Sequence, residues 1–240
     1  ITGGTSGIGL ALAKRFLNDG NKVIICGRNK DKFAEITNEY PEINTICCDI
    51  SGEKERIALF DAVSKVYPDI NVLINNAGIQ QRIDLKNMDW ELCKKEIATN
   101  FEAPIHLSGL FVPFLKGKDN AHIINVSSGL AFRPLIWVPV YNATKSGIHS
   151  FTFSLREQLS DTGIGVKEII PPAVNTNLGG NGVHGYGEDL DEFADSVYKD
   201  LGTDKKEIGF SYTVGTEKYT REDMEKAAVE MSKNIFNGTN

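Results

Sequence analysis

The chain has 240 residues, a net charge of −6 and a pI near 5.3, a length that suits one α/β domain. Its hydrophobic fraction of 41% and charged fraction of 24% are ordinary for a globular protein and exclude disorder and fibrous repeats. The acidic balance excludes a nucleic-acid binder that relies on a general basic face. No apolar run approaches the ~18 residues of a membrane span, and the basic amphipathic stripe of a membrane-surface helix is missing.

The chain opens with Ile1 followed at once by TGGTSGIG, which reads as a strand-to-helix turn. Only one residue of the strand precedes it, so further residues are expected upstream. Short β-branched apolar runs then alternate with helical patterns. The expected strands are Lys22–Arg28, Thr45–Ile50, Val72–Asn76, His122–Ser127 and Val166–Ile170, apolar on both faces as buried parallel strands are. The expected helices are Leu10–Asp19, Asp31–Glu39, Glu53–Tyr67, Trp90–Leu115 with Pro104 as its point of interruption, and Tyr141–Leu159. Gly179–Glu188 is glycine-rich and reads as a mobile loop. Leu190–Leu201 reads as a helix, Glu207–Tyr212 as an edge strand, and Thr220–Asn234 as a charged amphipathic helix. The acidic stretch Glu188–Glu192 reads as a helix start.

This alternation means βαβ units with right-handed crossovers. It predicts one Rossmann-like, doubly wound parallel sheet of about seven strands with helices on both faces. Ligands should then bind at the carboxyl ends of the strands. No repeat or linker divides residues 1–240, so a single domain is expected, with a substrate-loop region around 179–205.

Four cysteines, Cys26, Cys47, Cys48 and Cys93, form neither a disulfide framework nor a metal spacing. Free thiols in a reducing cytoplasm are the expectation. His106, His122, His149 and His184 show no ligand spacing, and no metal is assigned. A surface role is expected for His184, with contact to substrate from the glycine-rich loop as the alternative. Phe132 and Trp137, which flank the Ser128–Tyr141 segment, suit a pocket wall or core and subunit packing equally. The sequons at Asn125 and Asn142 fall in an expected strand and an expected helix and read as accidental.

The glycine turn offers Gly3, Thr5, Ser6, Gly7, Ile8 and Gly9 to a ligand. Glycine tolerates positive φ and close backbone approach. A helix N-terminus presents free N–H groups and partial positive charge to a pyrophosphate. No GK[ST] follows, so this is not a P-loop. Nineteen residues past Gly9, where an NAD-specific fold carries an acid for the ribose 2′-OH, stands Arg28. Its planar fork suits a 2′-phosphate, so NADP is expected over NAD; the alternative is a solvated arginine. Asp49 suits either an adenine amino group, with Ile50 packing on the ring, or a helix N-cap.

Tyr141 and Lys145 are four apart and share a helix face. A nearby ammonium is expected to lower a phenol's pKa and bring it towards proton-transfer duty. Ser128 stands thirteen residues upstream at a strand end. Asn100 lies in the long helix, and Asn75-Asn76-Ala77-Gly78 ends another strand.

Together TGGTSGIG, Asn75–Gly78, Ser128 and Tyr141–Lys145 resemble the short-chain dehydrogenase/reductase family from Thr2 to about Thr176. PVYNATK and SFTFSLREQL further resemble its DltE-like branch. The resemblance implies that Tyr141 is the general acid or base and that Lys145 lowers its pKa and holds the nicotinamide ribose. It implies that Ser128 orients the substrate oxygen and that Asn100 supports a water of the proton relay. Asn76, Ala77 and Gly78 would line the adenosine side, and Pro171, Val174 and Thr176 the nicotinamide end. Two departures stand out. Pro171-Pro172 replaces the family's Pro-Gly, and Ser6 occupies the place where some NADP-using members carry a basic residue. The latter leaves Arg28, with Asn29 and Lys30, for the phosphate.

The expected function is an NADPH-dependent carbonyl reductase acting on a small-molecule ketone, aldehyde or secondary alcohol, as a homodimer or homotetramer. The rivals are a nucleotide-sugar dehydratase or epimerase, and a non-catalytic nucleotide-binding regulator or scaffold on the same fold.

Overall fold

The computed structural model describes residues 1–237. Six strands form: β1 Ile24–Gly27, β2 Asn44–Cys47, β3 Val72–Asn75, β4 His122–Val126, β5 Gly165–Ile170 and β6 Glu207–Gly209. All pair in parallel, β1 with β2, and β3 to β6 in sequence order, which leaves β6 at an edge. Ile1 and Thr2 stitch the two groups together. Thr2 bridges Cys26 of β1, and its N–H donates to the Ile74 carbonyl of β3 at 2.9 Å. The chain thus leaves this central position towards β1 and β2, then crosses back to β3. Such a reversal opens a crevice beyond the carboxyl ends of the strands.

The helices are α1 Gly7–Asn18, α2 Lys30–Glu39, α3 Glu53–Val66, α4 Trp90–Ile97, α5 Ala103–Leu115, α6 Pro139–Gln158, α7 Leu190–Leu201 and α8 Arg221–Asn237. Side chains alternate across a strand, and the two faces are covered accordingly. Ile74, Ile124 and Ile169 pack with Leu12 of α1 and with Phe193 and Val197 of α7. Leu73, Ile123 and Val166 pack on the other face with Leu59 of α3, Phe111 of α5 and Leu155 of α6. None of the described helices is long and apolar enough to cross a membrane.

The expected long helix from Trp90 to Leu115 is one path in three parts. Residues 98–102 form a π-helical turn between α4 and α5. Pro104 does not break the path; it falls where the π-helical turn passes into α5. A buried polar seam fixes α5 and α6 to the sheet. Asn75 donates to Asn125 Oδ1 at 2.9 Å and to Ser108 Oγ at 3.2 Å, and Asn125 donates to Thr152 Oγ1 at 2.9 Å. Asn75 and Asn125 are register partners on β3 and β4. Of the three N-x-S/T sequons, those at Asn125 and Asn142 have buried asparagines. The cysteines are free thiols; Cys47 is exposed and Cys48 buried, on opposite sides of the chain.

Candidate active site

A cleft of about 590 Å³ opens over the carboxyl ends of the strands. Its floor begins at the glycine turn. Gly7 has φ +51°, a left-handed conformation that favours glycine. A Cβ on Gly9 would lie 2.4 Å from both the Gly3 carbonyl oxygen and Asn76 Nδ2, so the turn packs directly on the segment leaving β3. Asn76 holds it there by donating to the Thr2 carbonyl at 2.9 Å. Thr2 Oγ1 accepts from the Asn76 and Ala77 N–H groups, both at 3.0 Å. Ser6 stands at the N-cap of α1 without a side-chain capping bond, and no acidic residue occupies the first turn. The positive end of α1 therefore meets the cleft uncompensated by side chains of its own.

Gly3, Thr5, Ser6, Gly7, Ile8, Arg28, Asp49, Ile50, Asn76, Ala77 and Gly78 all line this cleft, as do Ser128, Tyr141, Lys145, Pro171, Val174 and Thr176. At the adenosine-side end of the cleft, Arg28 Nη1 lies 3.8 Å from Asp49 Oδ2, with both side chains about half exposed. Asp49 does not cap α3, whose N-cap is Gly52. It closes a turn instead, accepting from the Ser51 N–H and hydroxyl at 3.0 and 2.8 Å. Burial alone would raise its pKa, but the Ser51 bonds and Arg28 outweigh this and hold it below the usual carboxylate range. Asn29 lies outside the cleft lining. It is the N-cap of α2, and its Oδ1 accepts from the N–H groups of Asp31 and Lys32.

At the other end three side chains converge. Ser128 follows β4 and caps a short 3₁₀ turn, accepting from the Leu130 N–H at 3.1 Å. Its hydroxyl is near enough to the Tyr141 phenol to act on its ionisation. Lys145, one turn further along α6, is buried and donates from Nζ to the Val126 carbonyl at 2.8 Å; Nζ lies 5.6 Å from the centre of the Tyr141 ring. Asn100, in the π-helical turn, clasps the main chain of Ile79 from both sides. Its Oδ1 accepts from the Ile79 N–H at 2.8 Å, and its Nδ2 donates to the Ile79 carbonyl at 2.7 Å. Lys145 Nζ and Asn100 Oδ1 lie 3.6 and 3.5 Å from the position a Cβ would take on Gly78.

The electrostatics differ from the sequence expectation in one respect. Burial pushes the Tyr141 phenol well above its ordinary value; Ser128 opposes this and Glu96 adds to it. Desolvation therefore sets the direction, opposite to the lowering expected from the cation four residues away. Lys145 is pulled down to about 8 by burial, against the attraction of Glu168 and Glu96.

Several lining residues carried no sequence signal. His184 projects from the glycine-rich loop into the cleft wall, not onto the surface, and its Nε2 lies 3.1 Å from Gln80 Oε1. Burial lowers its pKa, which favours the neutral imidazole. The loop itself is tied back, since Val174 bridges Glu188. Tyr212 comes from beyond β6, and its hydroxyl accepts from the Ala173 N–H at 2.6 Å. Phe132 is core, edge-on to His149. His149, Glu168 and Glu207 bring ligand-type atoms within 4.8 Å of one another. Their charge is already matched: His149 bonds Glu168 at 2.9 Å and Arg156 lies 3.4 Å from Glu207.

Residues 1–186 match the family model described as short chain dehydrogenase. The chain belongs to the short-chain dehydrogenase/reductase family. It is 44% identical over 239 residues to the uncharacterized oxidoreductase DltE of Bacillus subtilis (strain 168), covering 97% of this chain and 95% of that one. This places it with the DltE-like members of an oxidoreductase family. Solved structures share the fold. A short-chain dehydrogenase/reductase from Burkholderia phymatum in complex with NAD superposes with TM-score 0.85 at 21% identity, covering 94% of this chain and 93% of that one. A short-chain dehydrogenase from Sphingobium yanoikuyae in complex with NADPH gives 0.79 at 23% identity, covering 100% and 95%.

Proposed function

We propose that this short-chain dehydrogenase/reductase is an NADPH-dependent reductase of an uncharged small or medium ketone or aldehyde. The observation that carries the reading is the convergence of Ser128, Tyr141 and buried Lys145 on one cleft that begins at a glycine turn. The cradle fits a dinucleotide: the glycine turn Gly3–Ile8 lines the cleft, and the open start of α1 suits a pyrophosphate. Gly3, Thr5, Ser6, Gly7 and Ile8 would hold that group, with Gly9 letting the turn pack on Gly3 and Asn76 behind it. Arg28 would hold a 2′-phosphate, with Asp49 and Ile50 beside the adenine. Asn76, Ala77 and Gly78 would line the adenosine side, and Pro171, Val174 and Thr176 the carboxamide end. When bound, the nicotinamide supplies the hydride.

The chain's own residues then supply alignment and a proton. Ser128 orients the carbonyl oxygen by hydrogen bonding, and Tyr141 gives that oxygen its proton from the phenol. A phenol held high in pKa stays protonated at neutral pH, which suits the donor role. Lys145, cationic below about pH 8, stabilises the phenolate left behind. Asn100 holds Ile79, and so the wall of the pocket. The substrate end is lined by Leu130, Leu135, Leu178, Tyr186 and Tyr212, with Gln80, Gln81, Asn177 and His184 among its polar groups. This lining supports a neutral, partly apolar substrate, chosen by the region around 179–205.

The test is NADPH oxidation followed at ~340 nm across a carbonyl panel. Tyr141→Phe should lower turnover roughly 10²–10⁴-fold, the worth of a general acid, while leaving NADPH affinity within about threefold. Wild-type-like rates in that variant would refute the assignment. Tight NADPH binding without turnover of any panel member would favour the regulator reading.

A further inference from the structure

Glu96 is a fully buried carboxyl behind the catalytic pair. It lies on α4 with no exposed surface, one helical turn before Asn100. Its Oε1 accepts from the Gln81 N–H at 2.9 Å, while Oε2 is buried with no hydrogen-bond partner in the protein. Asn100 holds the main chain of Ile79 in the same way. Side chains four apart on a helix share a face, and main-chain N–H groups two apart in an extended segment share a side. The two residues therefore clip one wall of the cleft, residues 79–81, at matched positions.

The second feature is charge. A buried carboxylate with an unpaired oxygen is costly to ionise. Lys145 on α6 forms no ion pair with Glu96 within 4.0 Å, but each of the two charges acts on the other. Tyr141 on the same helix feels Glu96 as well. Glu168 of β5 is the other anion acting on Lys145, and Cys93 lies on Glu96's own helix. We propose that Glu96 is a positioning residue of the active site: it fastens the Gln81 wall and holds a buried, half-satisfied carboxyl behind Lys145 and Tyr141, so that the charge of the Tyr141–Lys145 pair responds to the ionisation of Glu96.

Burial raises the Glu96 pKa to about 7, against the pull of the Gln81 N–H and Lys145. Glu96 therefore changes charge in the pH range where Lys145 is still cationic. A neutral Glu96 withdraws an attraction that keeps Lys145 protonated. It also removes a repulsion that keeps the Tyr141 proton in place. Both effects make the phenolate and the neutral amine easier to form.

The role of Glu96 rests on the reductase reading, so its test has an arm that needs no turnover. Infrared titration of the cofactor-free protein, with Glu96→Gln as the subtraction reference, should show one carboxyl losing its proton with a midpoint near 7. In Lys145→Met that midpoint should move upwards, because that cation is gone. An ordinary carboxyl midpoint below ~5, or one that Lys145→Met leaves in place, would overturn the proposal. The second arm uses a carbonyl reduced in the panel assay. Wild type should show an inflection near pH 7 in kcat/KM that Glu96→Gln lacks, with Glu96→Asp restoring it. A Glu96→Gln profile that is lower but unchanged in shape would mean a structural role only. If no carbonyl is reduced, the reductase reading fails while the infrared arm still decides the Glu96–Lys145 coupling.

Discussion

Arg28→Ala should switch the cofactor preference, and its size follows from the local geometry. Arg28 is half exposed at the end of β1, and its nearest anion is Asp49 Oδ2 at 3.8 Å. An exposed ion pair at that distance is worth about 0–1 kcal/mol. A 2′-phosphate offers the fork a bidentate acceptor, and hydrogen bonds to charged groups contribute about 1.5–3 kcal/mol. After subtracting the Asp49 contact, a gain of about 0.5–3 kcal/mol remains, which is roughly 2- to 150-fold in Kd. The variant should therefore weaken NADPH binding by that factor and change NADH binding by less than about threefold, as read from dihydronicotinamide fluorescence on titration. Asp49→Asn should act in the opposite sense. It keeps an oxygen for the Ser51 N–H but frees the fork, tightening NADPH by up to about fivefold. An NADPH/NADH ratio unmoved by Arg28→Ala would refute the argument. A parallel loss for both cofactors would do the same, since it would locate Arg28 in the support of the adenosine side and not in phosphate recognition.

Other consequences follow from the backbone. Gly9→Ala places a methyl 2.4 Å from the Gly3 carbonyl oxygen and Asn76 Nδ2. Overpacking of this kind costs about 1–3 kcal/mol, so thermal unfolding should show Tm lowered by roughly 2–12 °C for a chain of this size, with dinucleotide affinity reduced as well. Gly109→Ala should do the reverse. A Cβ there meets nothing within 4 Å in α5, and replacing a mid-helix glycine gains roughly 0.5–1 kcal/mol, or about 1–4 °C. A drop in Tm for Gly109→Ala would show that the exposed face of α5 is packed against something in solution.

Much of this molecule was legible because two periodicities carry it. The runs VIICG, VLIN, HIINV and VKEII are short, β-branched and apolar on both faces, which only a sheet covered on both sides can satisfy. Their ends then located the glycine turn, Ser128 and the Tyr141–Lys145 pair at one sheet edge. What stayed hidden depends on contacts distant in sequence. The π-helical turn at 98–102 leaves no mark in the apolar pattern. His184 and Tyr212 reach the cleft only because residues 174 and 188 are bridged and because Tyr212 folds back onto Ala173. Glu96 had a faint signal, an acid four residues before Asn100 on a helix face otherwise headed for the core. The Tyr141 shift runs opposite to the sequence expectation for a related reason. Sequence spacing shows that an ammonium is near, but not that the phenol loses its water, and the desolvation is the larger effect.

The convergence of Ser128, Tyr141 and Lys145 does not depend on those side chains finding one another. Each is held through main chain that is itself fixed. Ser128 is framed by the Ser127 N–H on the Ile169 carbonyl and the Gly129 N–H on the Pro171 carbonyl, both at 2.9 Å, so β5 sets its place. Lys145 is anchored to Val126, two residues upstream on β4. The helix that carries Tyr141 and Lys145 is tied to β4 through Asn125 and Thr152. It also admits Phe101 from the π-helical turn, because Gly147 has no Cβ; one would lie 2.7 Å from that ring. The polar groups thus stand at the crossing points of a frame built from β4, β5, α6 and the α4–α5 path. Removing one hydroxyl or amine should leave the others in position, which is why Tyr141→Phe can separate chemistry from cofactor binding, whereas a methyl added at Gly147 would move Asn100 and the 79–81 wall together.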